Sequence, residues 1–385
     1  MKNEMKSPPA ASRGTSRNEA IDFFRGLGLW IVLVDHLQPN VWSHFSLAQF
    51  GFSDFAEIFV FLSGYVNAGM YERALHAGGI AAAVRKLRSR AARLYMAHIA
   101  TMAASFAIFG ACASRGLRLD EPVLYVWMGD PARYLARTLF LLYSPRLYSL
   151  LPLYIVLAPF TLAAVVALRR WPVWALASSF ALWCIALSRS ADFPFMVTHE
   201  AWFFNPVAWQ FLFVIGAASK MYWPGLRRAA ESRTLQRLAI AVVLASFLLK
   251  TAILIGPLRR WLFGLTPLFA RLLAHDAGKG HLAPFRLVHF LSLLILIVAI
   301  PCNWRKWLES RVARLAIAGG RDSLFIYSVT LVMTAALNLF LKRWDGGPLL
   351  QFACTALGLS VLCGLAYWRD KVPANFDLQP EQSRK

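Results

Sequence analysis

Ten apolar runs punctuate the chain, at 21–38, 51–70, 95–113, 147–168, 172–188, 204–222, 238–256, 285–302, 317–341 and 349–368. Each approaches the roughly 20 residues a helix needs to cross a hydrocarbon core, with 172–188 the shortest. None shows the period-two alternation of a membrane strand. The pattern predicts an all-α, polytopic membrane bundle of ten transmembrane helices at 19–370, between an N-terminal tail (1–18) and a C-terminal tail (371–385). The first tail is polar, carries Pro8 and Pro9, and reads as disordered. Two connections are long, 114–146 and 257–284. In the first, Tyr134–Tyr143 reads as a short interfacial or re-entrant helix. In the second, Gly278-Lys279-Gly280-His281 reads as a flexible polar tip.

Composition agrees with this pattern. Of 385 residues 58% are hydrophobic and 16% charged, where soluble domains carry about a quarter charged. The net charge is +21, which in a soluble chain points to nucleic acid. Here the Lys and Arg residues sit between apolar runs. With a cytoplasmic N-terminus, 25 of them fall inside and 12 outside. The positive-inside rule therefore places both termini in the cytoplasm, makes the lipid bilayer the partner and removes nucleic acid. Fourteen Trp and 28 Phe suit bilayer interfaces. The five cysteines lack zinc-type spacing, so neither a disulfide framework nor a metal site is expected. The first run contains Asp22, Arg25, Asp35 and His36 and no small-residue cleavage site follows it, so no cleaved signal peptide is expected.

Ionisable groups inside such runs default to function. Arg25 and His36 are eleven residues apart, so a helix sets them within ~20° of one face and ~16 Å apart along the axis. Asp22 is one turn from Arg25 and can pair with it. Gly26 and Gly28 admit a close neighbour. In the second run Asp54 and Glu57 lie near the outer end. A carboxylate is the usual partner of a basic imidazole, and Glu57 is the first choice for His36, Asp54 the second. Asp35 points about 100° away from His36. Arg286 and His289 open the eighth run and either bind substrate or, for Arg286, snorkel to the interface. Asn205 and Gln210 are polar groups in the sixth run, Gln210 favouring an interhelical hydrogen bond. Arg85, Lys86, Arg88, Arg90 and Arg93 form either a positive-inside anchor or a grip on anionic ligand groups.

These residues carry a resemblance. Asp22-Phe-Phe-Arg25-Gly26 followed by Asp35-His36 resembles the Arg–ten residues–His signature of the acyltransferase-3 membrane superfamily. Four further stretches are similar to its OpgC-type branch, the succinyltransferases of osmoregulated periplasmic glucans. They are Phe50–Tyr65, Phe204–Gln210, Lys279–Phe290 and Gly320–Tyr327. The resemblance implies ten transmembrane helices in a bacterial inner membrane. It also implies transfer of an acyl group from cytoplasmic acyl-CoA (succinyl-CoA or acetyl-CoA) to a sugar hydroxyl of a periplasmic glucan or other polysaccharide. The family's His and Arg fall on His36 and Arg25. No G-x-S-x-G pattern is present, which favours direct transfer in a ternary complex with His36 as general base. On this reading Arg25, Arg85, Lys86, Arg90 and Arg93 face the CoA phosphates. Arg286, His289, Asn205, Gln210 and Tyr65 face substrate, and Tyr65, Asn205 and Gln210 are the candidate oxyanion donors. O-acetylation of a surface polysaccharide is the nearest alternative. A transporter, flippase, sensor or scaffold without chemistry is the competing class.

Overall fold

The computed structural model describes residues 18–115, 129–188, 203–254, 275–300 and 305–371. The N-terminal tail, most of the C-terminal tail, Cys302 and parts of both long connections lie outside these residues. All regular structure among the described residues is helical, without a strand. In chain order the helices are α1 (Glu19–His36), α2 (Phe55–Ala113), α3 (Pro131–Leu139), α4 (Leu150–Arg170), α5 (Pro172–Leu187), α6 (Pro206–Met221) and α7 (Trp223–Ala230). Then follow α8 (Arg233–Leu254), α9 (His275–Gly280), α10 (Pro284–Ala299), α11 (Arg305–Leu308), α12 (Arg311–Arg321), α13 (Ser323–Arg343) and α14 (Pro348–Lys371).

Each apolar run finds a helix. By length and composition α2, α13, α14, the segment 146–170 and the segment 233–253 are long and apolar enough to cross a membrane, and α5 and α10 are shorter apolar helices. These elements suit a membrane bundle. Two runs differ in detail from the sequence expectation. The second and third runs belong to one 59-residue helix, broken at Gly78 and Gly79, where Gly79 has φ 61°. The ninth run is divided at Asp322 into α12 and α13. The helix expected at Tyr134–Tyr143 is α3, capped three residues earlier than foreseen by Asp130, whose side chain accepts from Arg133 N at 3.1 Å.

Small residues let the helices touch backbone to backbone, which is how apolar helices pack without a hydrophobic drive between them. A Cβ on Gly26 would overlap the Ala316 carbonyl, and one on Gly320 would overlap that of Asp22, so α1 lies directly on α12. Gly64 meets the Phe213 carbonyl and Gly216 that of Phe61, which joins α2 to α6 in the same way. Around these contacts Leu29, Leu33, Leu151, Leu153, Leu157, Trp209, Leu212 and Ile326 form one continuous core. The first limb of α2, with α1, α4, α6 and α13, thereby becomes a rigid frame for the polar groups between them.

Candidate active site

Arg25 lies nearly two turns inside the start of α1 and His36 closes the helix, ~16 Å further along the axis. At the far end the α1 C-terminus has orphan carbonyls that need donors. Asn338 of α13 supplies one: its Nδ2 donates to the His36 carbonyl at 2.9 Å, while its Oδ1 accepts from Gln38 N at 2.8 Å. Asn40 Nδ2 donates to Val34 O at 2.8 Å. The His36 ring is fixed by its own helix, Nδ1 lying 2.8 Å from Val32 O. A carbonyl only accepts, so Nδ1 carries the proton and Nε2 keeps its lone pair. That is the tautomer a general base requires. A backbone carbonyl, rather than a carboxylate, therefore orients the imidazole. Lys279, Asp54 and Arg146 stand within its electrostatic reach.

Glu57 and Asp54 have other engagements. They form a capping box at the start of α2, Asp54 N donating to Glu57 Oε2 at 2.8 Å and Ala56 N to Asp54 Oδ1 at 2.8 Å. Their remaining oxygens meet cations. Arg286 Nε donates to Glu57 Oε1 at 2.7 Å and its Nη2 to Asp54 Oδ2 at 3.0 Å; Lys279 Nζ reaches Asp54 Oδ2 at 2.6 Å. Two buried acids thus face two cations. The tip at Gly278–His281, expected to be flexible, is pinned: it forms the end of α9, and Lys279 is drawn down by Asp54. Asn205 N and Trp209 Nε1 hold the carbonyl of Gly280 at 3.0 and 3.1 Å, and Trp183 Nε1 that of Leu282 at 3.0 Å.

The remaining candidates separate. His289 Nδ1 accepts from Ser53, Oγ at 2.7 Å and N at 3.3 Å, and its ring fills the space beside Gly51. Asn205 caps α6 through Val207 N at 2.9 Å. Gln210 exchanges two bonds with Ser179 of α5, at 2.6 and 2.8 Å, the interhelical role its position favours. Tyr65 lies away from this group, under Lys220 Nζ at 5.3 Å from the ring centroid.

At the Arg25 end the structure assembles guanidinium groups. Arg25, Arg90, Arg93, Arg321 and Arg369 line one cavity of about 930 Å³. Arg85, Lys86 and Arg88 are exposed and do not line it. Arg321 pairs with Asp370 at 2.8 Å and Arg369 with Asp322 at 2.8 Å. Arg90 is different: Arg25 and Arg93 are its charged neighbours, and its buried Nε makes no hydrogen bond among the described residues. Cations gathered in this way repel one another until an anion joins them. From there the cavity follows α13 from Asp322 to Ala336, ~21 Å at 1.5 Å per residue. Ala336 is two residues from Asn338, so the cavity reaches the level of His36. Its walls are mostly apolar, yet the buried hydroxyls of Thr101 and Ser328 on them make no hydrogen bond among the described residues, while that of Tyr154 has the Ser63 hydroxyl beside it.

Asn338, Thr101, Tyr154 and Ser328 were not distinguished by sequence reasoning. Asn338 carries a usable signal, an isolated amide near the end of an apolar run. The three hydroxyls carry none, because only tertiary packing separates a bonded from an unbonded hydroxyl.

A family model described as OpgC protein matches residues 17–374. No curated protein and no solved structure matches the chain.

Proposed function

Because the chain belongs to the OpgC family, with its acyltransferase-type function on glucans, we propose that it transfers an acyl group from acyl-CoA to a glucan hydroxyl, with His36 as general base in a ternary complex. The ten apolar runs then form ten crossings of a bacterial inner membrane with both termini cytoplasmic. The Arg25 end faces the cytoplasm and the His36 end the periplasm.

One observation carries this reading: the cavity that joins a cluster of guanidinium groups to the level of a correctly protonated imidazole. Its form fits acyl-CoA. The phosphates suit Arg25, Arg90 and Arg93, because guanidinium groups bind phosphate through paired donors. The pantetheine arm, of the order of the ~16 Å rise between Arg25 and His36, lies along the apolar walls. Its two amides answer the unbonded hydroxyls of Thr101 and Ser328. Arg85 and Lys86, exposed outside the cavity, serve the membrane surface instead.

A sugar hydroxyl is a weak nucleophile and needs a base during attack. Nε2 of His36 accepts its proton as the new C–O bond forms and returns the proton to the departing thiolate. Asp54, Glu57, Arg286 and Lys279 hold the rim of the acceptor side. Their charges match two against two, so Arg286 is not assigned to an acyl carboxylate. The family analogy favours succinyl over acetyl, and competition between the two acyl-CoAs decides it.

The test is incubation of purified protein in detergent with isotopically labelled acyl-CoA and glucan, reading ester by mass spectrometry. His36→Ala should lower transfer by about 10²–10⁴-fold with donor binding intact, the usual contribution of a general base. Wild-type protein that forms no ester, or a His36→Ala variant that retains more than about a tenth of the rate, refutes the reading.

A further inference from the structure

A second cavity, of about 1110 Å³, is separate from the one lined by guanidinium groups, although α1 and α2 wall both. Phe24 and Leu27 of α1, Ile58 and Leu62 of α2, and Leu294 and Ile297 of α10 are among its walls, and no residue lines both cavities. On α2 the lining runs from Phe55 to Tyr65 and on α10 from Phe290 to Ile300. Each stretch advances ~15 Å along its axis. A hydrocarbon core is about 30 Å thick, so the cavity has the depth of one leaflet.

Its two ends differ. Near the start of α2, Ser53 is already bonded to His289, Oγ to Nδ1 at 2.7 Å. No buried polar side-chain atom on these walls lacks a hydrogen bond among the described residues, whereas the first cavity has the unbonded hydroxyls of Thr101 and Ser328. An apolar cavity without polar groups to satisfy does not hold water, and it suits an aliphatic chain. The other end lies at the N-terminus of α1, the cytoplasmic side in the reading above. There Trp223 stands edge-on to Tyr65 at 6.0 Å, the residue types of a membrane–water interface. Beside them are Glu19, Arg227, Glu231 and Glu309, three carboxylates to one guanidinium in a chain of net charge +21. Arg227 pairs with Glu231 at 3.4 Å and Glu19 with Arg321 at 3.6 Å, while Glu309 makes no ion pair among the described residues.

We propose that this cavity seats an acyl chain of a cytoplasmic-leaflet phospholipid whose headgroup carries an ammonium, as phosphatidylethanolamine does. The inference rests on the membrane reading and its orientation, not on the chemistry of acyl transfer. A tail one leaflet long matches the depth and the apolar walls. At the mouth the lipid phosphate suits Arg227, since a guanidinium binds phosphate through paired donors, and the ammonium suits Glu309 and Glu19. A headgroup of net negative charge meets repulsion there. The acidic mouth also turns away acyl-CoA, whose phosphates suit the arginine-lined cavity, so the two cavities sort their ligands by charge.

The full-length protein, purified in a mild detergent and stripped of lipid, is titrated with phosphatidylethanolamine or phosphatidylglycerol of identical acyl chains, and native mass spectrometry reads the adducts. The expected result is one tight adduct, with phosphatidylethanolamine favoured about fivefold, the effect of one charge near a membrane surface. Glu309→Lys should erase or reverse that preference while leaving one adduct. Leu294→Trp fills the cavity and should remove the tight adduct of either lipid. Glu309 is exposed, so its variant keeps the fold and tests the site even where the bulky variant does not fold. Equal affinity of wild type for the two lipids, a preference unchanged in Glu309→Lys, or a tight adduct that persists in folded Leu294→Trp overturns the proposal. Ester formation is read on the same wild-type sample. Transfer without a lipid preference overturns the lipid site alone, and a lipid preference without transfer overturns the acyltransferase reading alone.

Discussion

Removing the Arg286 guanidinium leaves two buried carboxylates short of a partner, and the structure ranks which suffers more. Glu57 is fully buried and meets Arg286 Nε at 2.7 Å; its other oxygen accepts from Asp54 N, and no other cation among the described residues bonds it. Asp54 keeps Lys279 at 2.6 Å and Ala56 N at 2.8 Å. Breaking a buried ion pair by removing one partner costs about 3–5 kcal/mol, chiefly through the stranded charge. Arg286→Met should therefore destabilise the protein by that amount, with Glu57 as the main source. Adding Glu57→Gln removes the stranded charge yet keeps an oxygen for the cap on Asp54 N. The double variant should be more stable than Arg286→Met alone. Adding Asp54→Asn instead should restore less, because Asp54 still has its lysine.

The assay is denaturant unfolding in a fixed detergent, followed by tryptophan fluorescence, for wild type, the single variants and the two doubles. Independent sites add within about 0.5 kcal/mol. If the Arg286→Met and Glu57→Gln effects add within that margin, the two side chains do not share the buried pair and the reasoning fails. If Asp54→Asn rescues better than Glu57→Gln, the ranking of the acids is wrong.

Other outcomes follow from the same contacts. Gly26→Val should abolish the folded species on size-exclusion chromatography, because its side chain meets the Ala316 carbonyl of α12; a normal elution profile refutes that approach. Arg90→Ala should weaken equilibrium binding of acyl-CoA while Arg85→Ala does not, since only Arg90 lines the cavity; equal effects from correctly inserted variants return both residues to a surface role. Asn338→Ala should lower kcat more than donor affinity, because it releases the His36 carbonyl and Gln38 N; an unchanged kcat leaves Asn338 a mere helix cap. Transfer should fall as pH drops through the titration of His36, because a protonated Nε2 cannot accept a proton; a rate that rises on acidification excludes the imidazole as base.

What the sequence disclosed, and what it withheld, follows from the range of the forces involved. Apolar runs announce helices because the bilayer demands about 20 residues of one kind, and all ten runs coincide with helices. Gly26 announced a close contact because a missing Cβ has few other uses in an apolar helix. The position of His36 relative to Arg25 was legible because both lie on one helix of fixed pitch. Its partner was not. Asp54 and Glu57 are acids near the far end of α2, and proximity along the sequence makes either a reasonable companion to an imidazole. The competition was decided by Arg286 and Lys279, more than 220 residues downstream, whose charges outbid a neutral ring. The same capture explains why the Gly278–His281 tip, polar and rich in glycine, is held rather than loose. With the acids engaged, the His36 tautomer falls to the nearest acceptor, Val32 O, one turn back on its own helix. On the proposed mechanism the accepting nitrogen, Nε2 of His36, is thus left open by a local bond, and the ion cluster shapes the acceptor side without needing to touch it.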